Sequence, residues 1–246
     1  RPELPSLRLQ TCARMAAVRR PAARRLAALV CQLDVQSLST CPDVASRLTA
    51  LPRALWPLAS WHEELARSGA LADSLAVLRW YTDAAAANYR GLNRQLRAAG
   101  PRAAVPATAE ALDALLRAGP VLGPPGLTLW RGFQSFEYVQ WAVEQKAEEV
   151  TDLAYMSCSL QRSVGSFYAR RHALLPEDLE GAVLLKINVP AGAAVLCVVC
   201  SGAGVPSEEE IVLPRGSVLR VEHIRPRNAS TDVHVIEAQL KAPEGE

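Results

Sequence analysis

The sequence predicts an α+β fold in which a helical layer precedes a mixed β-sheet or β-sandwich. From residue 12 to about 116 the chain is rich in Ala, Leu and Arg, and apolar residues recur at spacings of three and four. Beyond residues 119–126, GPVLGPPG, the texture changes to short apolar and β-branched runs. Turn signals such as PAG and PRGS separate those runs. Helices first and strands afterwards is the order of an α+β domain rather than of an alternating α/β one.

Taken in order, the helical signals are ARRLAALVCQLDV (23–35), the long run 74–100 and TAEALDALLRAG (108–119). Breaks are expected at Pro42, Pro52, Pro57, Gly100-Pro101 and Pro106, because proline lacks the N–H that a helix interior needs. LTLWRG (127–132) reads as a strand, 136–149 as a helix, AYMSCSL (154–160) as a strand and FYARRHAL (167–174) as a short helix. GAVLLKINV (181–189), AVLCVV (194–199), EEIVL (209–213), SVLRVEHI (217–224) and DVHVIEAQL (232–240) complete the strands.

Composition narrows the function classes. Twenty-seven basic against 25 acidic residues leave a net charge of +2, too little to imply a nucleic-acid partner. No run of 18 apolar residues marks a membrane span. His62, His172, His223 and His234 are scattered, so no metal site is expected. Cys197 and Cys200 have CxxC spacing inside an apolar run and read as two buried small hydrophobes. Asn228 begins a glycosylation tripeptide that matters only in a secreted chain, and the compartment stays open between a secreted or delivered effector and the cytoplasm.

Three places set polar groups against strand-like sequence. Arg131 ends LTLWRG, where a guanidinium fork can hold paired phosphate or carboxylate oxygens. In MSCS, Ser157 and Ser159 fall on one strand face and Met156 and Cys158 on the other. In SEEEIVLPRGS, Glu208 and Glu210 would share a strand face with Glu209 turned away, which is unfavourable unless something cationic sits between them. Each alone also reads as an ordinary surface feature.

Together, LWRG, YMSCSL and SEEEIVLPRGS resemble the Arg, Ser-Thr-Ser and Glu-x-Glu motifs of mono-ADP-ribosyltransferases, specifically the exoenzyme-like, arginine-modifying Arg-Ser-Glu group. Residues 80–97 resemble the helix that precedes the catalytic strands of that fold. Cys158 departs from the pattern, standing where threonine is usual. The resemblance implies a catalytic domain over 75–246 with an ADP-ribosyltransferase-like mixed β-sandwich, and leaves 1–74 as a helical extension of unassigned role. It further implies NAD+ as co-substrate, no metal, and a protein arginine as acceptor, since Glu rather than Gln fills the first motif position at Glu208. By the same carry-over Arg131 holds the dinucleotide phosphates, with Gly132 and Ser159 in the same pocket. Ser157 orients Glu210 and Glu210 stabilises the ribose cation. Phe167 and Tyr168 fall where the family has a loop covering NAD, one of them as the aromatic that stacks on nicotinamide, with a core role for one of the two as the alternative. Residues 200–207 would recognise the acceptor. Three readings stay open: an arginine-specific transferase, an NAD glycohydrolase using the same site, and a binding module that kept the fold.

Overall fold

The computed structural model describes residues 51–68, 71–83, 88–100, 104–135, 148–171, 180–201, 203–204, 206–228 and 232–241. The expected helix at 23–35 and nearly all of the one at 136–149 lie outside these residues.

Among the described residues four helices precede the strands: α1 (Trp56–Ser68), α2 (Leu71–Thr82), α3 (Asn88–Ala99) and α4 (Ala107–Ala118). Pro57 does not break a helix but is the second residue of α1, where the missing N–H has no intrahelical partner to lose. In α4 the buried stripe is Ala109, Leu112, Leu115 and Leu116, while Glu110 in its first turn and Arg117 in its last match the helix dipole. Helix α1 lies before residue 74, yet its Leu58 and Trp61 enter the same cores as the sheet.

The strands are β1 (Leu127–Gln134), β2 (Glu149–Asp152), β3 (Met156–Ser159), β4 (Ala182–Val189), β5 (Leu196–Cys197), β6 (Glu210–Leu213), β7 (Ser217–Arg225) and β8 (His234–Leu240). Helix α5 (Arg162–Arg170) lies between β3 and β4, and the short α6 (Val198–Ser201) follows β5. Residue 149 therefore begins a strand instead of ending a helix, because Glu149 through Asp152 pair with β7. Helix α5 starts five residues before the expected 167, at Arg162. The run 194–199 stays extended only over Leu196–Cys197 and then turns helical. That turn brings residues three apart together, whereas in a strand they would face opposite sides. Cys197 and Cys200 consequently form a disulfide across 5.2 Å between Cα atoms, rather than standing as two separate apolar residues.

The sheet is mixed, in the order β2-β7-β8-β4-β1-β3-β6-β5, with β4 and β8 parallel. Val150 of β2 and Ile211 and Leu213 of β6, from opposite ends of that order, share one core with Leu129, Leu185, Ile187 and Ile236. The sheet is thus folded over on itself around an apolar interior, in which each fully buried Leu or Ile contributes about 1.5–3 kcal/mol. On the other face, Val212 and Tyr155 pack against α1–α4 through Trp61, Leu78, Tyr81 and Leu112. Two charged ties join helices to sheet. Arg97 of α3 grips Asp152 bidentately, at 2.9 and 2.7 Å. Asp113 of α4 accepts from the Tyr155 hydroxyl at 2.6 Å and from Arg215 at 2.8 Å.

Candidate active site

Strands β1 and β3 are neighbours but share one ladder pair, Trp130↔Ser159, whereas β1 and β4 pair along their whole length. Beside that junction opens a cavity of about 190 Å³. Arg131, Gly132, Ser157, Ser159, Glu208 and Glu210 all line it. Phe167 does not: it is 60% exposed and meets Tyr168 edge-on at 5.4 Å, and Tyr168 is the aromatic of α5 that lines the cavity.

The three glutamates do not form a strand. Pro206–Glu208 is a 3-10 turn, Glu209 has a left-handed backbone with φ 44°, and β6 begins only at Glu210. The left-handed residue re-aims the chain, so Glu208 and Glu210 reach one cavity through a bend rather than through strand alternation. The bend is held from β3. The Ser159 hydroxyl donates to the Glu208 carbonyl at 2.6 Å and accepts from the Gln161 amide at 2.9 Å. Leu160 N–H donates to the Glu209 carbonyl at 3.2 Å. Gly204, also left-handed, lets the preceding loop approach closely, since a Cβ there would stand 3.3 Å from Glu210 Oε2.

Burial raises the pKa of Glu210 above the ordinary carboxylate range, and the neighbouring charge of Glu208 adds to it. Hydrogen bonding from the Ser157 hydroxyl and the charge of Arg131 pull it back down. Across the cavity, Arg131 Nη1 donates to the Ser157 carbonyl at 2.8 Å, with the guanidinium 5.8 Å from the Phe133 ring centre. The site therefore sets one cation against two carboxylates. Burial likewise pushes the Cys158 thiol up to about 12, so at this motif position it stays a protonated, apolar side chain.

Gly132 lines the cavity but also serves packing. A Cβ there would lie 1.8 Å from the Gly165 carbonyl and 2.4 Å from Ala169 N, so α5 sits directly on β1 through small residues. That close seat carries Tyr168 to the cavity wall, where its hydroxyl donates to Glu208 Oε1 at 2.6 Å.

Reading the sequence for periodicity missed the wall contributed by helices. Tyr81 at the end of α2 and Tyr89 at the start of α3 line the cavity. Tyr81 is fully buried; its hydroxyl accepts from Asn93 at 3.1 Å and hydrogen-bonds with Ser157. Asn93 also donates to the Tyr155 carbonyl at 3.2 Å. The available signal was a polar Asn on a helix that otherwise buries leucines. Among the described residues, no group of three or more His, Cys, Asp or Glu side chains is placed to hold a metal ion, and no helix is long and apolar enough to cross a membrane.

Solved ADP-ribosyltransferases share this fold. The C3 exoenzyme of Clostridium limosum is similar to this chain at 20% identity, covering 69% of it and 85% of the exoenzyme, with a TM-score of 0.51. Plx2a, an ADP-ribosyltransferase toxin from Paenibacillus larvae, matches at 18% identity over 74% of this chain and 94% of its own, with a TM-score of 0.54. C3stau2 from S. aureus, solved with NAD, matches at 17% identity over 75% and 94%, with a TM-score of 0.51. No curated protein sequence matches. The family model for the ADP-ribosyltransferase exoenzyme matches residues 59–242, and the chain belongs to that family.

Proposed function

We propose that the protein cleaves NAD+ at the bond between nicotinamide and ribose and transfers ADP-ribose to an arginine side chain of a protein acceptor. The observation that carries this reading is the placing of Glu208 and Glu210 on the wall of one cavity that also holds Arg131. The NAD present in the C3stau2 structure supports the choice of dinucleotide.

In this reading Arg131 holds the dinucleotide phosphates, because its fork matches paired oxygens. The glycosidic C–N bond breaks, and its electron pair leaves with nicotinamide. The positive charge left on the ribose is stabilised by Glu210, whose carboxylate has little water to reorganise around it. Ser157, hydrogen-bonded to Glu210 and to Tyr81, orients that carboxylate. An acceptor guanidinium nitrogen then bonds to the ribose carbon, and its proton passes to Glu208. A guanidinium is charged at any working pH, so a carboxylate beside it both binds it and takes the proton.

The test is nicotinamide release from NAD+, with and without agmatine as an arginine mimic. Glu210→Gln is expected to lower release about 10²–10³-fold, as loss of a transition-state group does. Glu208→Gln is expected to suppress mainly agmatine modification. Release without any agmatine product would assign the site to NAD hydrolysis instead, and a chain that neither binds nor cleaves NAD+ would be a binding module.

A further inference from the structure

Glu208 is held at two points. Its carbonyl is tied to the Ser159 hydroxyl at 2.6 Å, and its side-chain Oε1 to the Tyr168 hydroxyl at 2.6 Å. The second tie comes from a different element, helix α5, which is pressed onto β1 through Gly132 and Gly165 and so has little freedom to shift. Arg171 lies over the Tyr168 ring at 5.6 Å, and Phe167 braces it edge-on. Burial first, and the Glu208 hydrogen bond second, push the Tyr168 phenol up to about 12. It therefore remains a hydrogen-bond donor across the neutral range.

We propose that Tyr168 is a positioning residue for the acceptor step: by occupying one oxygen of Glu208, it presents the other to an incoming guanidinium. This rests on the acceptor role assigned to Glu208 above. A carboxylate tethered at one oxygen has one direction in which to receive a cation, so the acceptor nitrogen arrives in line with the ribose carbon rather than at a range of angles. Without the hydroxyl, Glu208 keeps its charge and its backbone anchor but loses that direction. Water, which needs no such alignment, then competes better for the ribose cation.

The experiment incubates the full chain with NAD+ and agmatine and measures the ratio of ADP-ribosyl-agmatine to free ADP-ribose. Tyr168→Phe removes only the hydroxyl and is expected to lower that ratio about tenfold, the effect of losing one hydrogen bond to a charged group. The agmatine concentration giving half-maximal transfer should rise in parallel. Both products derive from the same bound NAD+, so the ratio does not depend on how much of the variant is folded. A native chain that modifies agmatine while Tyr168→Phe leaves the ratio within about twofold overturns the positioning role alone. A higher ratio in Tyr168→Phe overturns it too, since the phenol would then be a competitor for Glu208. Nicotinamide release by the native chain with no agmatine product would remove the acceptor role of Glu208, and the role of Tyr168 with it.

Discussion

The two ends of strand β6 handle charge in opposite ways. Beyond its last residue, Leu213, Arg215 pairs with Asp113, and the other oxygen of Asp113 takes the Tyr155 hydroxyl, so each carboxylate oxygen has a donor. At its first residue, Glu210 is largely out of water with Glu208 beside it, and the balance of neighbours leaves its pKa raised. A satisfied carboxylate ties the helical layer to the sheet. One whose burial and carboxylate neighbour outweigh Ser157 and Arg131 weakens the fold locally and is suited to meeting a further positive charge. Four residues separate a structural use of charge from one suited to chemistry.

The contrast can be broken from the structural end first. Arg215→Ala leaves one oxygen of Asp113 without its donor and is expected to cost about 2 kcal/mol, read as a lower urea midpoint. The value sits below that of a fully buried pair because Arg215 is one-third exposed and screened by solvent. Nicotinamide release per folded molecule should not change.

At the other end, Glu210→Gln is expected to stabilise the fold by about 1 kcal/mol while removing activity, the usual exchange at a strained site. The sign follows from the raised pKa. The folded chain binds this proton more tightly than the unfolded chain, so its contribution to stability is greatest in acid and falls as pH rises through the window above the ordinary carboxylate value. The stabilisation by Gln should therefore be large near neutral pH and fade by about pH 4, as thermal melts at the two conditions would show. Under the proposed reaction activity has the opposite dependence, because Glu210 would stabilise the ribose cation in its ionised form. Nicotinamide release should begin to decline above the pH at which an ordinary carboxylate titrates. A profile flat down to about pH 4 would remove Glu210 from the reaction.

The smallest effect belongs to the residue between the two carboxylates. Glu209 holds a left-handed backbone, which glycine adopts without penalty. Glu209→Gly is expected to leave stability level or raise it by up to about 1 kcal/mol, whereas Glu209→Val should lower it by more than that. If Val were tolerated as well as Gly, the bend would not be what aims Glu208 and Glu210.

Much of the strand half was legible because its signals are local. Apolar and β-branched runs bounded by turn signals identified β1, β4, β7 and β8 almost to their ends. What escaped depended on partners far along the chain. Strand β2, a four-residue edge segment of mixed polarity, exists because β7 offers it a ladder. The disulfide escaped for a local reason instead: a helical turn replaces the strand just after Cys197 and brings together two cysteines three residues apart. The motif residues Arg131, Gly132, Ser157, Ser159, Glu208 and Glu210 line one cavity. Of the two aromatics at the loop position, Tyr168 joins them, whereas Phe167 points to solvent because the seat of α5 turns Tyr168 inward.

By itself, the sequence determined the α+β class and the succession of helices before strands, which depend on periodicity, while the Arg, Ser and Glu groups were singled out by the motifs' resemblance to a known family. Only the tertiary structure decided that Glu208 and Glu210 meet through a left-handed bend rather than across a strand face. It also decided that Tyr81, Asn93 and Tyr168 support them. The physical reason is range: a period is written in neighbouring residues, whereas the hydrogen bond from Tyr168 to Glu208 spans 40 residues and exists only once α5 is seated on β1.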